Sequence, residues 1–258
     1  SEALLAPAES DQHSGLSGQL GGLASLAGVS LGGAKTDKTG TAIEILKSRE
    51  FFSKFAEKHN ILPDLIAAKG WELASNRVVY NDEIYNEQSG KWIRDVKPPK
   101  RSKPSMQEAK PLFDSAVNIY KSSDTGMVTI SVTHYSPYTA KDWVDWLIQD
   151  INLVMKKRDK EDAENSISYL QSEVNKTNIV EQKTLLYQLI EEQAKTLMFT
   201  EVRSEYVFKT IDPAIVSETK FKPKRFLIVL ICIILSGMFS IVLLLIHYFL
   251  RTDKLSLK

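Results

Sequence analysis

"KPKRFLIVLICIILSGMFSIVLLLIHYFLR", residues 222–251, is the stretch on which the reading of this chain turns. From Phe226 to Leu250 no side chain is charged, and the polar ones are Ser236, Ser240, His247 and Tyr248. A buried helix of a soluble domain and a helix that crosses a bilayer compete for such a run. At about 1.5 Å per residue these residues reach about 37 Å as a helix. A bilayer core of about 30 Å needs about 20 apolar residues. A soluble core helix keeps a polar stripe, and this run has none, so the membrane reading is preferred. The flanks agree: Lys222, Lys224 and Arg225 precede the run and Arg251 follows it, with His247 and Tyr248 at the expected headgroup level. Inside it, Ser236 and Ser240 share a helix face and Gly237 adjoins them, a small-residue surface suited to packing against another helix.

Charge does not orient the span. Lys220, Lys222, Lys224 and Arg225 lie upstream and Arg251, Lys254 and Lys258 downstream, too even a split for the positive-inside rule. The boundaries expected are a main domain at 1–220, a basic link at 221–225, a membrane helix at 226–250 and a tail at 251–258. Of the chain's 258 residues, 25% are charged, a globular rather than a disordered composition. A net charge of +1 gives no reason to expect nucleic acid as a partner. The single cysteine, Cys232, sits in the apolar run, so cysteine usage does not report the compartment. "SEALLAP" at 1–7 lacks the basic start and long apolar core of a signal peptide and reads as an extended segment of a longer chain, with a first membrane helix expected upstream.

Residues 15–33 hold seven of the twelve glycines and read as a loop or a weak helix. Beyond Lys38, Ile43, Leu46, Phe51, Phe52 and Phe55 recur at helical spacing, predicting one helix or two with a break near Arg49. Val78–Tyr80 and Lys91–Ile93 read as short strands, and the proline-rich basic link at 97–104 as extended chain. Ser105 and Glu108 form a helix-start signal, with Pro111 awkward in the interior. Val128, Ile130 and Val132 alternate with Thr129, Ser131 and Thr133 after the Asp124-Thr125-Gly126 turn, predicting a hairpin. A long helix is expected over 140–178 and a second over 180–203, each with a narrow apolar stripe that wants a partner helix. "EYVFKTIDP" then reads as a strand. The fold class is α+β: a membrane-proximal α/β base, a long projecting helical hairpin, and one transmembrane helix.

Reactive motifs are absent from this reading. "GVSLGGAKT" nearly matches a phosphate loop, but Ala34 separates Gly33 from Lys35, so the lysine points elsewhere and a glycine-rich loop is the better reading. His13, His59, His134 and His247 lie far apart, with no zinc spacing. No nucleophile elbow is present. No catalytic, cofactor or metal residue is therefore assigned. Asn175-Lys176-Thr177 matches a glycosylation sequon by chance. Trp143 and Trp146 suit sugar stacking in principle, but Trp143 falls on the apolar stripe with Leu147 and reads as core.

"EYVFKTIDPAIVSETKFKPKRFLIVLICIILSGM" at 205–238 resembles the second membrane segment of bacterial polysaccharide co-polymerases, and more narrowly the Wzz-type chain-length determinants of lipopolysaccharide O antigen. The positions that carry it are Asp212-Pro213, Pro223-Lys224-Arg225 and Ser236-Gly237-Met238, with further likeness at 1–9, 45–51 and 134–152. Val216 stands where the family often has a second proline, and Ser236 where it often has glycine. The resemblance implies two membrane helices in the inner membrane, a large periplasmic domain and a cytoplasmic C-terminus. It implies a ring-like homo-oligomer without catalysis that sets how far a partner O-antigen polymerase extends a glycan, with the bilayer and the growing glycan as further contacts. Two alternatives stay open: a capsule or exopolysaccharide co-polymerase working with a separate kinase, and a membrane-anchored sensor or adhesin domain. With eight residues after Leu250, no fused kinase is expected in this chain.

Overall fold

Strand β1, Glu2–Pro7, buries Ala3 and Leu5 and leaves Glu2 in solvent, the period of two of a strand with one face on a core. Its partners are β7 (Val128–Val132) on one side and β8 (Phe208–Asp212) on the other, and β6 (Val117–Lys121) completes an antiparallel sheet of order β6-β7-β1-β8. Pairing brings Glu2 opposite Ser131, Val117 opposite Val132 and Leu4 opposite Asp212. The start of β1, the start of β6, the end of β7 and the end of β8 thus share one end of the sheet. The computed structural model describes residues 1–8, 37–218 and 229–240. The chain forms two compact units, Ser1–Val216 and Ser217–Lys258. In the second, residues 229–240 are helical.

The buried face of β7, formed by Val128, Ile130 and Val132, meets a helical layer. The break expected near Arg49 falls at Ser48, between α1 (Lys38–Lys47) and α2 (Arg49–His59). Ser48 adopts extended backbone and its Oγ accepts from Phe51 N at 3.1 Å, so one residue closes the first helix and caps the second. Phe52 and Phe55 pack on Phe113 with ring centres 4.8 and 5.8 Å apart. Phe113 lies on α4 (Met106–Ala116), after the short α3 (Leu62–Ile66). The helix start read from Ser105 and Glu108 is a full capping box, and Arg94 donates to the same Glu108 carboxylate at 2.8 Å. Pro111 sits inside α4 and cannot donate to the Gln107 carbonyl. The capping box and the burial of Ala109 and Phe113 hold the helix regardless.

Two small ladders separate α3 from α4. β3 (Arg77–Tyr80) and β5 (Lys91–Trp92) match the two expected strands, but they do not pair with each other. β3 pairs with β2 (Ala68–Glu72) and β5 with β4 (Tyr85–Asn86). Both partners are too short or too polar to show strand alternation.

Helix α5 runs from Pro137 to Lys176 and α6 returns from Val180 to Val202. Ser136 caps α5, its Oγ accepting from Thr139 N, with Pro137 in the first turn. The first turns of α5 bury Trp143, Leu147 and Ile151 under the sheet. Where α5 passes β8, Asn152 is buried. Its Oδ1 accepts from Val207 N at 2.8 Å and Phe208 N at 3.0 Å, and its Nδ2 donates to Ile148 O and Phe208 O at 3.1 Å. Replacing Asn152 with Ala leaves two buried N–H groups without acceptors, at about 1–3 kcal/mol each. Urea unfolding followed by tryptophan emission should show the midpoint falling by several kcal/mol equivalent with an unchanged slope, far beyond the roughly 1 kcal/mol expected of the surface cap variant Ser105→Ala.

Candidate functional site: the helical hairpin and its root

The chain's candidate working part is the α5–α6 hairpin. At about 1.5 Å per residue, α5 is about 60 Å long. Beyond Met155 it buries only Ala163 and Val174, and the whole of α6 buries only Thr200. Apolar side chains on both helices face solvent: Tyr169, Val180, Leu185, Tyr187, Met198 and Val202. The narrow stripes expected from the sequence, Ile167, Leu170 and Val174 on α5 and Leu186, Leu189, Ile190 and Leu197 on α6, are half-buried or buried, and the exposed apolar side chains are others.

Polar groups brace the hairpin where it leaves the core. The Tyr206 hydroxyl donates to Asp159 Oδ2 at 2.6 Å, and Lys38 Nζ reaches the same oxygen at 2.5 Å. Lys38 also lies over the Tyr206 ring, 5.3 Å from its centre. The start of α1, the middle of α5 and the segment before β8 are thereby joined. Higher up, Lys160 pairs with Glu201 at 2.6 Å and fastens α5 to α6. Nearer the core, the buried Asp150 holds Lys58 at 2.5 Å and His59 Nε2 at 2.9 Å, and His59 stacks flat on Trp146 at 4.4 Å. Burial first, and then the hydrogen bond to Asp159, push the Tyr206 phenol well above its ordinary value. Burial and Asp64, which accepts from the Tyr80 hydroxyl at 2.5 Å, do the same for Tyr80.

A cleft of about 320 Å³ lies between α2 and α5, lined by Phe51, Phe55, Leu153 and Val154 together with charged side chains. Lys54 is taken by Glu50 at 2.7 Å, Lys58 by Asp150, and Lys157 by Glu161 at 3.6 Å. Such internally neutralised charge suits a packing surface better than a reaction centre. Among the described residues no cluster of His, Cys, Asp or Glu has the makings of a metal site. Trp143 is fully buried, and Trp146 has one face stacked on His59.

Of the residues singled out at the chain's end, Pro213 follows β8 directly. Ser236, Gly237 and Ser240 lie on the helical stretch 229–240, where Ser240 Oγ donates to Ser236 O at 3.0 Å and Ser236 Oγ to Ile233 O at 2.9 Å. Their hydroxyls are satisfied within the helix, and a Cβ added at Gly237 meets nothing within 4 Å. Pro223, Lys224 and Arg225, the near-match phosphate loop ending at Lys35 and Thr36, and the glycine-rich 15–33 lie outside the described residues. So does much of the apolar run 226–250. Among the described residues no helix is long and apolar enough to cross a membrane.

Residues 169–249 match the family model described as a G-rich domain on putative tyrosine kinase. That domain is typical of polysaccharide co-polymerases. The match begins on α5, takes in all of α6 and β8, and ends in the apolar run. It covers less than half of the chain, and Gly237 is its only glycine. No curated protein matches the chain. The sequence reading found the hairpin and the end of the chain that this family model covers. It missed Asp159, Tyr206 and Lys38, which no local pattern connects.

The raised Tyr206 phenol has a definite sign in stability. Its contribution is full below about pH 10, where an unfolded tyrosine begins to ionise, and is lost as the pH rises through the higher folded value. In an alkaline titration, phenolate absorbance of Tyr80 and Tyr206 should develop after that of the exposed tyrosines. Tyr206→Phe should remove one late-titrating phenol and lower stability at neutral pH while flattening its alkaline decline. An unchanged late phase would remove Asp159 and burial as its cause.

Proposed function

We propose that this chain is a non-catalytic, oligomeric membrane scaffold that regulates the chain length of a bacterial surface polysaccharide, lipopolysaccharide O antigen, made by a partner polymerase. The observation that carries the reading is the α5–α6 hairpin: a long, braced helical pair whose second helix lies wholly in the matched domain, with Val180, Tyr187, Met198 and Val202 exposed on that helix. Copies of the chain pack through the exposed apolar side chains of α6. Residues 226–250 cross the inner membrane, residues 1–220 stand in the periplasm and the C-terminus is cytoplasmic. The Pro223-Lys224-Arg225 link meets the headgroups, and Ser236, Gly237 and Ser240 face another helix. The polymerase, and the glycan it extends, are the partners; no bond is made or broken by this chain.

A second reading has one observation of its own. The matched domain is described as lying on putative tyrosine kinases, which favours a capsule or exopolysaccharide co-polymerase served by a separate kinase. Deleting the gene separates the two. Loss of O-antigen length control turns a clustered lipopolysaccharide ladder into a broad decaying one while polymerisation continues. An unchanged ladder with altered capsule supports the second reading, and complete loss of polymer overturns the scaffold.

Light scattering of the detergent-solubilised chain should give a large oligomer, reduced by the double variant Leu185→Glu, Val202→Glu. A clean monomer across protein concentrations overturns the oligomer. Gly237→Leu is expected to leave a single chain undisturbed, because the added side chain meets open space. It should weaken cross-linking between membrane helices and shift glycan length. Unchanged cross-linking and length would place Gly237 against lipid.

A further inference from the structure

Residues 68–93 form a lobe of two ladders, β2–β3 and β4–β5, in which no residue is fully buried. The lobe is fixed at the sheet end defined by Ser1, Val132 and Asp212. His134, two residues past β7, places Nε2 3.1 Å from Asp64 O, and the Tyr80 hydroxyl donates to the Asp64 side chain. Trp71 lies 6.2 Å from Tyr138 in the first turn of α5. Its indole N–H donates to Asn76 Oδ1 at 2.9 Å, which fixes the ring's orientation. Around it the same end exposes an unusual amount of apolar surface: Leu73 is 77% exposed, Tyr135 60%, Tyr138 46% and Ile215 70%. Ile215 is part of this end because its carbonyl accepts from Ser1 Oγ at 2.8 Å.

We propose that this lobe, through Trp71, Leu73, Tyr135 and Tyr138, docks on the headgroup region of the lipid bilayer that its own chain enters. The proposal rests on the membrane reading of residues 226–250 given above. Three observations select lipid as the occupant. Chain departs from this end at Asp212, and the fourteen residues to Phe226 span at most about 50 Å. Tryptophan and tyrosine, with an apolar ring and a polar tip, are the side chains that partition to a bilayer interface. Leu73, at 77% exposed, and Tyr135, at 60%, keep most of their area in solvent, so it is available to an outside phase.

The test uses the full chain in vesicles of phosphatidylcholine and phosphatidylglycerol whose acyl chains are brominated near the headgroup. Brominated lipid is expected to quench part of the tryptophan emission, and Trp71→Phe is expected to lose most of that quenching. Leu73→Asp, a change at an exposed site that leaves the fold intact, should reduce it as well with near-ultraviolet dichroism unchanged. Vesicle flotation separates the two levels of the argument. A chain that does not float overturns both the membrane reading and the docking. A chain that floats, but whose quenching is the same with and without Trp71, overturns the docking alone. Quenching that is absent while Trp71 becomes shielded as protein concentration rises means that a second copy covers the lobe, and it also overturns the proposal.

Discussion

Asn152 holds the architecture together. A strand at the sheet edge has backbone groups that need partners, and a long helix crossing it normally offers none, because its own backbone is satisfied internally. The Asn152 amide solves this by presenting a carbonyl and an N–H₂ to the backbone of Val207 and Phe208, as a further peptide unit would. It fixes the height at which α5 passes β8, and so where the hairpin leaves the core. Everything farther out, from Tyr206 and Asp159 to the Lys160–Glu201 pair, is placed by that register.

The hairpin divides its stabilisation unevenly. At the root, apolar burial and buried polar pins dominate, with Trp143, Leu147 and Ile151 under the sheet. Farther out, exposed ion pairs such as Lys160–Glu164 and Lys195–Glu191 remain, and these contribute little each. Between the helices, half-buried Ile167, Leu170, Leu186, Leu189, Ile190 and Leu197 and buried Ala163 and Val174 hold the pair within one subunit. Val180, Tyr187, Met198 and Val202 stay outside that interface and are the surface the proposed oligomer would cover.

Periodicity made much of the fold legible before any coordinates. The hairpin of β6 and β7 alternates cleanly, and Phe51, Phe52 and Phe55 keep helical spacing. The capping box at Ser105 announces its helix within four residues. The elements that escaped are those whose stability is not local. β2, "AKGWE", carries a lysine, a glycine and a glutamate and becomes a strand only because β3 lies beside it. The root contacts escaped for the same reason, since Lys38, Asp159 and Tyr206 are far apart in sequence and meet only after folding. The lobe's exposed aromatics escaped because Trp71 and Tyr138 look like core residues until exposure is known. Of the residues picked at the chain's end, Ser236, Gly237 and Ser240 lie on the helical stretch 229–240.

The position of β1 has a consequence for the order of assembly. Its residues pair with β7, more than 120 positions away, and with β8, more than 200 positions away. Chains dominated by such distant pairings fold slowly, because the loop must close before the contact rewards it. β6 and β7 are local and zip early, but the sheet gains its third and fourth strands only when the two extremes of the domain meet. Until Phe208–Asp212 has emerged from synthesis, the first seven residues have one strand edge without its native partner. That edge stays open until the strand more than 200 positions further along the chain has formed.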